Sequence, residues 1–127
     1  MSEMNRREAI QTITLATLAI ACGDGTSLLE RARRAAGDDD YEPDFFTPHE
    51  WRTVHVLADL VIPADDRSGS ATDAGVPRFM DVVIQEFEDM ATPMRGGLAW
   101  LDRECHDRHG MNFVECDVAR QTGLLDL

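Results

Sequence analysis

Apolar residues recur at three- and four-residue steps through the second half of the chain, and the first such run follows a strong start signal. Thr47 precedes Pro48 and stands three residues before Glu50, the arrangement of a capping box. The Thr hydroxyl can accept from the Glu50 amide while the Glu50 carboxylate reaches back, and a proline at the first helical position gives up no hydrogen bond. Trp51, Val54, Leu57, Ala58 and Val61 then share one face, and Pro63 closes the helix. After a loop of small and polar residues, 64–75, Pro77 restarts a helix. Its apolar side is Phe79, Met80, Val83, Phe87 and Met90, widened by Val82 and Ile84. A third helix from Met94 to His109 carries Leu98, Leu101 and Cys105 on one face with Trp100 beside them, and Gly110 stops it. A fourth begins at Cys116 or Asp117. No segment alternates with period two, so the expected fold class is all-α, a small domain of about four helices occupying residues 45–127.

The pattern upstream is different. From Asn5 the chain reads NRREAIQTITLATLAIACGDG: a basic pair, a mildly apolar stretch over residues 10–21, then small residues. Ile10, Ile13, Leu15, Leu18 and Ile20 scatter around a helical wheel, and the stretch falls short of the roughly 20 apolar residues a membrane span needs. Residues 1–21 therefore read as a targeting segment. Arg6 and Arg7 resemble the twin-arginine export signal, with Ala9 and Gln11 where that pattern prefers Phe and Lys. Ala19 and Ala21 form an Ala-x-Ala cleavage pattern. The run LAIAC also resembles a lipobox, with Ala19 where Leu is usual, which makes Cys22 a lipidation candidate. Residues 22–44 are rich in Gly, Arg, Ala and Asp, with the run Asp38, Asp39, Asp40 followed by Glu42 and Pro43; a short helix over residues 28–36 is one reading, but the segment is expected to form a flexible, solvated tether.

At 127 residues the chain suffices for one domain. Its formal charge of -12, with every fixed positive charge an Arg, repels phosphate backbones and argues against nucleic acid as a partner. Candidate chemistry is sparse. Asp65, Asp66 and Asp73 lack the alternating oxygens and terminal Glu of an EF-hand loop. Cys105, His106 and His109 place two ligands on a helix face without closing a metal site, and His49 and His55 have no ligand partners at useful spacing. No Cys-x-x-Cys-His, no Gly-x-Gly-x-x-Gly after a strand and no nucleophile elbow occurs, so catalytic, cofactor-binding and metal residues are all expected to be absent. Cys105 and Cys116 are better read as a disulfide, formed in an oxidising compartment, than as two buried apolar thiols.

One segment carries a family likeness. Residues 59–81 read DLVIPADDRSGSATDAGVPRFMD, which resembles the gluconate 2-dehydrogenase subunit 3 family. Its features are a helix ending in Ile62 and Pro63, an acidic Gly- and Ala-rich loop through Gly69 and Asp73, then Ala74, Gly75, Val76 and Pro77 leading into a helix with an early acid, Asp81. FFTPHEW upstream (45–51) and GLAWLDREC downstream (97–105) are similar to that family as well. The resemblance implies a non-catalytic small subunit that assists assembly and twin-arginine export of an FAD-dependent sugar or sugar-acid dehydrogenase. It implies as partners the FAD-dependent large subunit, a multihaem cytochrome c subunit and the twin-arginine translocase. FAD and haem c would sit on the partner subunits, and the complex in the periplasm or on the outer face of the cytoplasmic membrane, lipid-anchored if Cys22 is modified. Members of that family continue past the point where this chain stops, so a carboxyl-terminal truncation is expected. A rigid polar loop between two packed helices suits recognition, which makes Pro63, Gly69, Asp73, Gly75, Pro77 and Asp81 candidate partner-binding residues; a plain helix connector reads the same stretch equally well. The alternative function is a free-standing exported lipoprotein binding another envelope partner.

Overall fold

The computed structural model describes residues 25–126; Arg6, Arg7, Cys22 and the targeting segment lie outside them. Among the described residues there are five α-helices, one 3-10 turn and no strand: α1 (Gly25–Ala36), α2 (Pro48–Val61), α3 (Val76–Glu86), α4 (Glu88–His109), the turn Phe113–Glu115, and α5 (Val118–Leu125). None is long and apolar enough to cross a membrane. The all-α expectation holds, with one helix more than the periodicity predicts.

The additional helix is α1, and it corrects the tether. Leu28, Ala32 and Ala35 lie on one face at steps of four and three, are buried, and pack with Val82, Phe79 and Phe87 of the α3 segment. Arg31 pairs with Glu86 across the surface at 2.9 Å, and Arg33 and Arg34 occupy the last turn, where positive charge favours the helix dipole. Small alanines allow close approach but add little to a hydrophobic pattern, so the sequence signal for this helix is weak. Beyond it, residues 37–46 run back over α3 as a strap rather than into solvent, with Tyr41 and Phe45 packed on the core clusters.

α2 starts as its capping box requires: Thr47 Oγ1 accepts from the Glu50 amide (3.2 Å) and the Thr47 amide donates to Glu50 Oε2 (2.9 Å). Val54 is buried, whereas Val61, assigned to the same face, is 74% exposed at the frayed end. The break between α3 and α4 also differs from expectation. Phe87 leaves helical geometry (φ -109, ψ 82), so Met90 belongs to the first turn of α4 and is exposed. The Phe87 ring packs with α1, and Glu88 and Asp89 then open a new helix with the acidic first turn its dipole favours. Pro93 sits within α4, one turn after its start, a position that sacrifices a single backbone bond.

α3 holds the centre. One side packs on α1; Ile84 on the other joins Phe46, Val54 and Leu98 in a cluster shared with α2 and α4. A third cluster, Leu101, Cys105, Phe113, Cys116 and Leu124, closes the far end of α2 and α4 with the 3-10 turn and α5. Gly110 turns the chain there in the left-handed region (φ 72), and Asp117 caps α5 by accepting from the Arg120 amide at 2.9 Å.

Candidate partner-binding loop

The loop after α2 is built by three aspartates, each holding backbone amides. Asp59, on the last full turn of α2, accepts from the Thr72 amide at 2.8 Å and so ties the far side of the loop to the helix. Burial pushes the Asp59 carboxyl up, but hydrogen bonds from the Thr72 amide, the Thr72 hydroxyl and Ser70, with His55 nearby, outweigh it and hold the carboxyl below the usual range. Asp65 Oδ1 accepts from the amides of Arg67 (2.9 Å) and Ser68 (2.8 Å) and from the Ser68 hydroxyl (3.1 Å). Asp73 Oδ2 accepts from the Ser70 amide at 2.8 Å, and Ser70 Oγ accepts in turn from the Asp73 amide at 3.3 Å. Gly69 is needed for that last pair, because a Cβ there would lie 2.6 Å from Asp73 Oδ2. The ends are joined as well, the Ala71 amide donating to the Ile62 carbonyl at 2.9 Å. These carboxylates shape the loop itself, and among the described residues no group of three His, Cys, Asp or Glu side chains could hold a metal ion.

The six residues singled out from sequence divide into two sets. Pro63, Gly69 and Asp73 lie on the exposed rim. Gly75, Pro77 and Asp81 are buried, so in this structure they offer no surface to a partner. Gly75 adopts φ 76, and a Cβ on it would meet the Ala36 carbonyl at 2.3 Å: the end of α1 rests on this glycine. Arg78 Nη1 donates to that same carbonyl at 3.0 Å. Asp81, fully buried, gathers the strap: the Tyr41 hydroxyl (2.6 Å) and the Asp44 amide (2.9 Å) donate to Oδ2, and the Phe45 and Phe46 amides donate to Oδ1 at 3.0 Å each. Gln85 Nε2 adds a fifth donor at 3.1 Å. Burial, then the hydrogen bond and charge of Asp81, raises the Tyr41 hydroxyl well above its ordinary range. The sequence held a signal for this role: Asp81 stands in the buried phase of the helix, four residues after Pro77 and three before Ile84.

The structure also shows a feature with no counterpart in the sequence pattern. A shallow groove of about 660 Å³ runs between α2 and the 3-10 turn, lined by His49, Trp51, Arg52, His55, Asn112 and Glu115 among others. Its two histidines are engaged separately. His49 Nε2 lies 2.5 Å from Asp102 Oδ2, whose other oxygen accepts from the Phe113 amide at 3.0 Å; His55 Nδ1 donates to the Trp51 carbonyl at 2.8 Å with its ring edge-on to the indole. These contacts join α2, α4 and the turn. Cys105 and Cys116 are both buried and, in this structure, free thiols within one cluster. His106 is exposed while Cys105 is buried, so these neighbours point into different environments.

The family model for gluconate 2-dehydrogenase subunit 3 matches residues 48–127, from the first turn of α2 onward, leaving α1 and the strap outside. No curated protein and no solved structure shows significant similarity to the chain. With most of the chain matched, including α2, the aspartate-built loop and the helices that follow, the chain belongs to the gluconate 2-dehydrogenase subunit 3 family.

Proposed function

We propose that this chain is the non-catalytic small subunit of a gluconate 2-dehydrogenase-like complex, assisting assembly and export of an FAD-dependent sugar or sugar-acid dehydrogenase. The observation that carries this reading is the family match over residues 48–127. The electron acceptor of the complex would be a multihaem cytochrome c subunit, with FAD and haem c on those partners and catalysis on the flavoprotein. Arg6 and Arg7 would address the assembly to the twin-arginine translocase, and Cys22 would supply a lipid anchor where it is modified.

The exposed rim of the loop is the proposed docking element. Its backbone is tied down by Asp59, Asp65 and Asp73, so little conformational freedom remains to be lost on binding. The test is capture of the flavoprotein by the tagged chain in cells that express both. Gly69→Lys is the sharper of two variants at this rim: Gly69 is exposed, and a new side chain would both project outward and displace Asp73. Asp73→Arg reverses an exposed charge and also releases the Ser70 amide, so it alters the rim while leaving the helices in place. Asp73→Arg is expected to reduce recovery of the flavoprotein tenfold or more, roughly 1.4 kcal/mol, with unchanged helical content. Undiminished recovery with both variants would return the loop to the status of a connector.

A further inference from the structure

The two buried thiols carry an inference beyond subunit assembly. Cys105 lies near the end of α4, one turn after Leu101, and is 1% exposed; Cys116 ends the 3-10 turn at 6%. Gly110 reverses the chain between them, and the Phe113 amide bonded to Asp102 at 3.0 Å fixes the turn against α4 one helical turn before Cys105. Both sulfurs therefore enter one cluster with Phe113 and Leu124. The segment beyond Cys116 is lightly held. α5 has eight residues, too few to persist as an isolated helix, and it is tied back by Leu124 and by Gln121 Nε2 donating to the Phe113 carbonyl at 2.9 Å.

We propose that Cys105 and Cys116 are an oxidisable pair whose disulfide locks the carboxyl-terminal turn and α5 onto α4. The oxidant is a small-molecule or protein disulfide. One cysteine, as thiolate, attacks it and releases one thiolate, leaving a mixed disulfide. The second cysteine attacks that sulfur and releases the other thiolate. Two protons leave the cysteines, two electrons reduce the oxidant to two thiols, and one S–S bond closes. Burial, then the neighbouring Cys116, pushes the Cys105 thiol up to about 11, so Cys105 is protonated at neutral pH while the cluster is closed, and both thiols are shielded from an oxidant. Exchange accordingly proceeds through opening of α5, the segment least tied to the rest.

The experiment uses the full chain, purified reduced, then unfolded and refolded in oxidised glutathione, alkylated and digested with trypsin. Because every basic cleavage site is an Arg, Cys105 falls in residues 104–108 and Cys116 in 109–120, while Cys22 falls in a third peptide, 8–31. The expected product is the first two peptides joined and lacking alkylation, with a melting temperature higher by on the order of 10 °C that reverts in dithiothreitol. Cys116→Ser should abolish that response and leave Cys105 carrying glutathione or alkyl. Two alkylated cysteines, or one glutathione on each, in the refolded wild-type chain would overturn the proposal.

Discussion

Asp81 is the residue that ties the strap to α3. Five donors from the strap and from Gln85 meet one buried carboxylate, and no Arg among the described residues pairs with it, so the negative charge is held by amides and a hydroxyl. Removing the acceptor would leave the buried Phe46 amide and the part-buried Asp44 and Phe45 amides without their partner, so Asp81→Ala is expected to destabilise by roughly 3 kcal/mol in chemical denaturation. Tyr41→Phe should cost about 2 kcal/mol, the value of a hydrogen bond to a charged group. The pair also sets an alkaline limit. The Tyr41 hydroxyl is raised in the folded chain, so the unfolded chain loses its proton first; stability is fully present below the ordinary value of 10.0 and falls as pH rises beyond it. Tyr41→Phe should flatten that decline, which a pH series of denaturation midpoints would read. Asp81 also shows what sequence reading misses at this scale: an acid within a family motif invites a binding role, while its helical phase assigns it to the interior.

At the scale of elements, the clearest signals were those with dedicated side chains. The capping box of α2, the left-handed Gly110 after α4 and the Asp117 cap of α5 each left a mark in the sequence because each needs a particular residue type. The two misjudged elements needed none. α1 buries Leu28, Ala32 and Ala35, which match a polar linker in composition, and the α3–α4 break falls at Phe87 without Gly or Pro because tertiary packing sets it. The two left-handed glycines separate local from tertiary cost. Gly110→Ala places its Cβ in open space and should cost about 1 kcal/mol for the conformation alone. Gly75→Ala suffers the same strain and drives a Cβ into the Ala36 carbonyl, so it must also dislodge α1. We expect at least twice the destabilisation, and hydrogen exchange should show α1 amides losing protection in that variant only.

For the molecule as a whole, the helices present one rigid, exposed loop between α2 and α3. Asp59, Asp65 and Asp73 hold its rim; the shape was legible from Pro63, Gly69 and Pro77, but the work of Asp59 and Asp65 was not, because a loop carboxylate bonded to amides and a solvated one look alike in sequence. The proposed task of this scaffold is escort. A flavoprotein that folds around FAD in the cytoplasm requires a route that carries folded proteins, and a bound subunit bearing Arg6 and Arg7 would supply the address for both chains. Replacing Arg6 and Arg7 together by Lys keeps the charge and removes the guanidinium pair, so a receptor-read signal is lost while a merely electrostatic one persists. The decisive measurement is the distribution of flavin-linked dehydrogenase activity between envelope and cytoplasm in cells carrying that double substitution. The account predicts that both chains stay in the cytoplasm, co-purifying with FAD bound; normal dehydrogenase activity in the envelope would contradict it.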